Sequence, residues 1–361
     1  MNASDKAGGP TARFVSPGQN RALLCRLCPR QCLIPPGSFG KCGVRENKGG
    51  RMDIPLSGFI TALGMDPIEK KPLYHFRPGS SILSMGFAGC NLHCPFCQNW
   101  RISQIENQSS LSSGRHLSPE DVLAIVKERK LTQIAYTYSE PLIHIEYLLE
   151  CMALCRGEGI ANVLVSNGCI NPEPAAEILA LTDAANIDLK CFSEETYEKV
   201  LGGKLGTALN FIETAHAAGV HLEITTLIVP GLNDSDAETW LCAEFIAGLS
   251  REIPWHLSAY HRDYHWDAPP TSPASLAKIA RMGREQLSYV YTGNIAGETN
   301  DTPCPHCGAI LVSRRGYSID RNGLTQKQAE GKQVYCCTTC GEKAPISGNS
   351  RVKNRKGTEV E

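Results

Sequence analysis

The chain has 361 residues, 42% hydrophobic and 20% charged, and its 36 Lys and Arg nearly cancel 37 Asp and Glu for a net charge of −1. That length supports one large domain with additions, or two to three domains, and the balanced charge excludes a disordered polyelectrolyte. The longest apolar stretch, residues 224–229, is broken by two threonines and falls far short of the roughly 18–20 residues that cross a bilayer.

In chain order, residues 1–20 carry no apolar run after a basic start. They are read as disordered, without a secretory leader, and the protein as cytoplasmic. Its 17 cysteines then need a cause other than disulfides, because close cysteine spacing in a reducing compartment serves metals or redox chemistry. Residues 21–75 form an N-terminal module holding Cys25, Cys28, Cys32 and Cys42. Four thiols here fit zinc or a second iron-sulfur cluster, with a structural site slightly preferred. Residues 21–51 also carry seven basic residues against one acid, Glu46, which suits an acidic partner, RNA or simply a solvated basic face.

From residue 76 to 296, apolar β-rich runs alternate with amphipathic segments, the pattern of repeated βα units around a parallel sheet. Strands are expected at 81–88, 133–138, 161–165, 185–189, 222–229 and 255–260, with 289–292 as a further one. Helices are expected from Ser118-Pro119, over 144–155, from Asn171-Pro172, as a pair over 194–218, and over 235–249 and 273–287. Ser118 before Pro119, with Glu120 and Asp121 following, is a capping signal. Right-handed crossovers make such a series a barrel or a doubly wound sheet, and either binds ligands at the carboxyl ends of its strands.

The residues after the strands are therefore the candidates. The first strand ends in a loop with Cys90, Cys94 and Cys97. Three thiolates in one tight loop suit three irons of a 4Fe–4S cube, leaving the fourth iron open; zinc completed by His93 and inert buried thiols are the other readings. Glu140 before Pro141 reads as a site carboxylate or a helix N-terminal acid. Asp188 and Lys190, two apart on a strand, share a face and suit a site or a plain salt bridge. Residues 297–348 hold two knuckles, Cys304 with Cys307 and Cys337 with Cys340, a zinc-ribbon pattern, with rubredoxin-like mononuclear iron as the lesser alternative. Cys336 leaves the register of the second knuckle open, and residues 349–361 read as a disordered tail.

These residues resemble a known family. Cys90, Cys94 and Cys97, with Phe96 between the last two, resemble the signature of the radical S-adenosylmethionine (SAM) enzymes. Tyr138-Ser139-Glu140-Pro141 is similar to the segment that binds the methionine amino group in pyruvate formate-lyase activating enzymes, and Ser166-Asn167-Gly168 and Asp188-Leu189-Lys190 resemble that subfamily's ribose and methionine contacts. Residues 229–234 and Tyr260-His261 match its last two strand ends. Residues 66–76, with Cys97-Gln98-Asn99-Trp100 and the flanking cysteine groups, resemble the radical enzyme of the AmmeMemoRadiSam system, a likeness spanning residues 22–348.

The resemblance implies a partial (β/α)6 barrel with small cysteine-rich modules at both ends. It implies a 4Fe–4S cluster on Cys90, Cys94 and Cys97, and SAM held by Phe96, Ser139, Glu140, Ser166, Asn167, Asp188, Lys190 and His261. Reductive cleavage of SAM then yields a 5'-deoxyadenosyl radical that abstracts hydrogen from a substrate. A flavodoxin- or ferredoxin-like reductant and Memo-like and AMMECR-like partners are implied, with an activase that installs a glycyl radical as one variant. A zinc-stapled scaffold protein is the reading from a different class.

Overall fold

The computed structural model describes residues 12–105, 111, 113–295, 300–329 and 332–348; the expected C-terminal tail and residues 1–11 lie outside them. The core is one eight-stranded sheet: β1 (Ala62–Pro67), β2 (Ser81–Gly86), β3 (Gln133–Thr137), β4 (Ala161–Ser166), β5 (Ala184–Asp188), β6 (His221–Ile228), β7 (Trp255–Ala259) and β8 (Val290–Gly293). The order follows the chain from β1 to β8. β2 to β8 run parallel and β1 pairs antiparallel with β2, so the sheet is an open α/β array. Every residue of β3 and all but Val165 of β4 are buried, as strands covered on both faces must be.

The crossovers are helices α1 (Pro119–Glu128), α2 (Ile145–Gly157), α3 (Pro172–Leu179), α4 (Leu205–Ala217), α5 (Asp236–Leu249) and α6 (Pro273–Gln286). Ser118 and Asp121 form a reciprocal capping box on α1, and Ser235 and Ser272 cap α5 and α6. Asn171 departs from expectation. Its side chain makes no cap to α3 but donates from Nδ2 to the Arg26 carbonyl at 2.6 Å, tying the barrel to the N-terminal module.

Two boundaries differ from the sequence reading. Residues 12–20 are ordered in part: Ala12 and Phe14 are buried, and Val15–Pro17 pairs with Leu23–Cys25. The polar, glycine-rich composition hid this, because the anchor is remote in sequence. Arg13 donates its backbone N–H to Glu146 of α2, the same carboxylate that receives the buried Arg45 guanidinium at 2.8 Å. Nor does the N-terminal module end at residue 75. β1 belongs to the main sheet, and Leu23, Ile34, Val44, Met52 and Ile60 share the hydrophobic core of the barrel.

Residues 66–76 clamp the sheet. Asp66 accepts from Lys71 at 2.9 Å, Lys70 at 3.1 Å and the Tyr138 hydroxyl at 2.6 Å. Glu223, fully buried on β6, accepts the backbone N–H groups of Tyr74 and His75 and pairs with His221 and His256. Burial alone would raise the Glu223 carboxyl, but the two histidines reverse this and hold it well below the usual carboxylate range.

The C-terminal strands dock at the amino ends of the parallel strands. Ser347 meets His75 and His221, Arg77 meets Thr132 just before β3, and Arg314 donates to the Tyr74 carbonyl. Among the described residues, no helix is long and apolar enough to cross a membrane.

The Arg45–Glu146 pair supplies the first prediction, because removing one partner strands a buried charge. Glu146→Ala is expected to lower unfolding free energy by about 3–5 kcal/mol in urea titration. A loss under about 1 kcal/mol, the worth of an exposed pair, would show that packing alone holds the module.

Candidate functional site

Seven parallel strands aim their carboxyl ends at one cavity of about 220 Å³. Its wall includes Cys90, Cys94, Cys97, Glu140, Asp188 and Lys190. β2 leads into the cysteine loop through Gly89, whose φ of +85° and whose neighbours, the Cys42 carbonyl and Val44, leave no space for a Cβ. The Leu92 N–H donates to the Cys90 sulfur at 3.3 Å, Asn167 Nδ2 approaches the same sulfur at 3.7 Å, and Cys97 Sγ lies 3.1 Å from the Ser103 hydroxyl.

Burial pushes the Cys94 thiol up to about 12 and the Cys90 thiol well above its usual value, with Glu140 adding to the latter. Unassisted, these sulfurs stay protonated. A metal makes a coordinating thiol deprotonate, so the set suits metal ligation rather than free thiolate chemistry. Zinc completed by His93 does not fit: His93 is exposed, bonds Gln104 at 2.7 Å and stands outside the cavity wall. Nor do the three sulfurs gather for one ion. Among the described residues, only the C-terminal cysteine group brings its ligand atoms within 4.8 Å of one another.

Glu140 is held from three sides. Oε1 accepts from the Leu142 N–H at 3.0 Å and the Ser166 hydroxyl at 2.7 Å, and Oε2 from the Asn167 N–H at 2.9 Å. Burial raises its carboxyl to about 7 although these donors favour the anion. The turn that presents it begins at Tyr138, whose φ of +71° is unusual for a side-chain-bearing residue. Asp66 holds that tyrosine's hydroxyl, the Lys71 ammonium lies 4.3 Å from its ring centroid, and Asn99 binds its carbonyl at 2.7 Å.

Asp188 and Lys190 do form a salt bridge, at 2.8 Å, and the pair lines the cavity. Burial works against the lysine's charge, but Asp188 outweighs it, helped by Cys94 wherever that sulfur is ionised, so the ammonium stays protonated. Asn233 Nδ2 donates to the Lys190 carbonyl at 2.7 Å, so the residue 229–234 motif sets that strand end from behind. Phe96 is buried on the cavity wall, edge-to-face with Trp266. Ser139 also lines the cavity, its hydroxyl turned to the Phe87 carbonyl.

Two expected site residues stand elsewhere. Ser166 lies off the cavity wall and acts on Glu140. His261 is exposed and off the wall, because the loop after β7 turns outward there and covers the cysteine loop with other residues: the His265 N–H bonds the Pro95 carbonyl, and Tyr264 stacks on Trp100. Wall residues absent from the sequence reading include Thr225, Leu227, Ser258 and Asn294. Thr225 and Leu227 carried the alternate-residue signal of one strand face, but nothing in their types marks a site.

The C-terminal group is a separate centre at the opposite end of the sheet. Cys304 and Cys340 sulfurs stand 3.7 Å apart, as do those of Cys307 and Cys337. Tetrahedral ligation at about 2.3 Å per thiolate sets sulfur edges near 3.8 Å, so these four fit a single ion. Cys336 is excluded from the set, resolving the register.

The family model described as the radical SAM superfamily matches residues 86–241. An uncharacterized protein of Methanocaldococcus jannaschii is 35% identical over 339 residues, covering 93% of this chain and 98% of its own. The pyruvate formate-lyase-activating enzyme of Clostridium pasteurianum is 27% identical over 184 residues, 48% of this chain and 73% of the relative. Among solved structures, a domain of pyruvate-formate lyase-activating enzyme from Bacteroides vulgatus aligns with a TM-score of 0.40 at 22% identity, covering 44% of this chain and 98% of that one.

Purified protein is expected to carry about one tightly bound ion at the C-terminal centre, and Cys304→Ser with Cys340→Ser to lose it, with a lower melting temperature because structural metal is folding energy. Unchanged metal content in the double variant would remove these cysteines from the ligand set.

Proposed function

The chain belongs to the radical SAM superfamily, and on that premise we propose that it binds a 4Fe–4S cluster on Cys90, Cys94 and Cys97 and uses SAM to take a hydrogen atom from a further substrate. One observation carries the proposal: three cysteine sulfurs that do not gather around one ion share a cavity wall with a fixed carboxylate and a charged lysine. With cluster and cofactor bound, the chemistry supplied is one-electron cleavage of the sulfonium bond to the ribose 5' carbon.

The chain's own residues bind and orient. Glu140, fixed by three donors, would accept from the cofactor's ammonium. Lys190 offsets the negative charge of the thiolates and the methionine carboxylate. Asp188 and Asn167, on the same wall, would hold the ribose, and Phe96 would offer its ring to the adenine. The Tyr264 to Trp266 segment, packed on the cysteine loop, limits solvent entry.

Similarity to the pyruvate formate-lyase-activating enzymes supports a variant in which the hydrogen comes from a glycine of a partner protein. The residue 66–76 peptide supports placement in the AmmeMemoRadiSam system, beside Memo-like and AMMECR-like proteins. A flavodoxin- or ferredoxin-class protein supplies the electron, and the basic N-terminal module suits such an acidic partner.

The test is anaerobic. With reconstituted cluster, SAM and a strong reductant, wild type is expected to release 5'-deoxyadenosine and Cys94→Ala none; absence of product from both would sink the reading. Glu140→Gln is expected to weaken SAM binding about tenfold or more, as loss of a charged hydrogen bond does, with iron content unchanged. The sign of the pH effect follows from the raised carboxyl. Wild-type affinity falls as pH drops through about 7 and protonates Glu140, while Glu140→Gln stays flat. Parallel pH profiles for the two proteins would remove Glu140 from the ammonium contact.

A further inference from the structure

Cys25, Cys28, Cys32 and Cys42 take no part in the catalytic cavity, yet together with Arg45 and Asn91 they line a second one. Their spacing separates them from the C-terminal centre. Among the described residues, no three of these four sulfurs converge to within 4.8 Å, whereas the C-terminal four do. A single tetrahedral ion at about 2.3 Å draws its sulfurs to near 3.8 Å and leaves no cavity between them. Thiols arranged around a cavity are placed for a polynuclear core, each sulfur meeting a different metal.

Arg45 adds an independent observation. Its side chain is 1% exposed, with Nη1 donating to the Arg13 carbonyl and Nη2 to Glu146. Its Nε–H has no partner, and its charge acts on the sulfurs of Cys25 and Cys42. A buried N–H is almost always paired, and an anionic sulfide or thiolate in this cavity is the acceptor it lacks. The Lys41 N–H already reaches the Cys32 sulfur at 3.5 Å.

We infer that Cys25, Cys28, Cys32 and Cys42 hold a second iron-sulfur cluster of the 4Fe–4S class, ligated by four thiolates, to which Arg45 Nε–H donates. Four protein ligands leave no open iron, so this cluster does not bind SAM. It sits beside the first. Asn91, which follows Cys90, lines the second cavity and accepts from Asn167, the residue whose amide approaches the Cys90 sulfur. The Cys42 carbonyl presses on Gly89 from the same side. The inference departs from the slight preference for a structural ion, because spacing along the chain is blind to how far apart the sulfurs stand.

The inference rests on the N-terminal residues and not on the reaction proposed above. The test is iron and acid-labile sulfide in the full chain, reconstituted anaerobically, with all three of Cys90, Cys94 and Cys97 changed to Ala. About four iron and four sulfide per chain are expected to remain, with a reduced-state paramagnetic resonance signal that SAM does not alter. A single zinc or iron with no sulfide at the N-terminal group overturns the inference. Should that variant fail to fold, wild type decides: about eight sulfides per chain support two clusters and about four refute the second. Four sulfides in the triple variant, with no 5'-deoxyadenosine from wild type, would sink the proposed reaction and leave the second cluster standing.

Discussion

Three thiols and a carboxylate stand together at the open end of a parallel sheet, and most of the surrounding architecture answers the cost of keeping them there. Burial disfavours the charged forms of Cys90, Cys94 and Glu140. The compensation is local and directional: N–H groups on sulfur from Leu92 and Asn167, two N–H groups and a hydroxyl on Glu140, and the Lys190 ammonium within the field of Cys94. A cavity arranged in this way is preorganised for ions that arrive with their own charge.

Support for that end of the sheet comes from distant parts of the chain. Asp66 on β1 holds Tyr138, which starts the Glu140 turn, and Asn233 after β6 holds the Lys190 strand end. At the opposite end, Glu223 binds the Tyr74 and His75 N–H groups and two histidines, and the C-terminal strands dock there. The long peptide over residues 66–76 is therefore structural at both ends, joining the Glu140 turn to the base of the sheet.

Three cysteine groups in one chain sort by geometry. At the C-terminal centre the sulfurs touch, as a lone tetrahedral ion requires. In the Cys90 loop and in the N-terminal module the sulfurs do not converge in this way, and each set lines a cavity. The N-terminal module cannot be separated from the barrel energetically, because its apolar residues belong to the same core and its buried arginine is neutralised by α2.

Much was legible in the residue order alone. Continuous apolar runs, serine caps and helix-opening prolines gave the alternation of strands and helices, and the carboxyl-end rule put Cys90, Cys94, Cys97, Glu140, Asp188 and Lys190 at one place. Local grammar reaches only a few residues, so it misassigned the ordered residues after 11, the Asn171 cap, and the places of Ser166 and His261. The sequence by itself determined the fold class and the chemistry available at the strand ends, because periodicity and residue type are properties of short segments. Only the tertiary structure decided which sulfurs touch and which stand apart, which carboxylate is buried and which histidine faces water. Those are distances between residues remote in the chain, and desolvation depends on what packs around a group rather than on what precedes it.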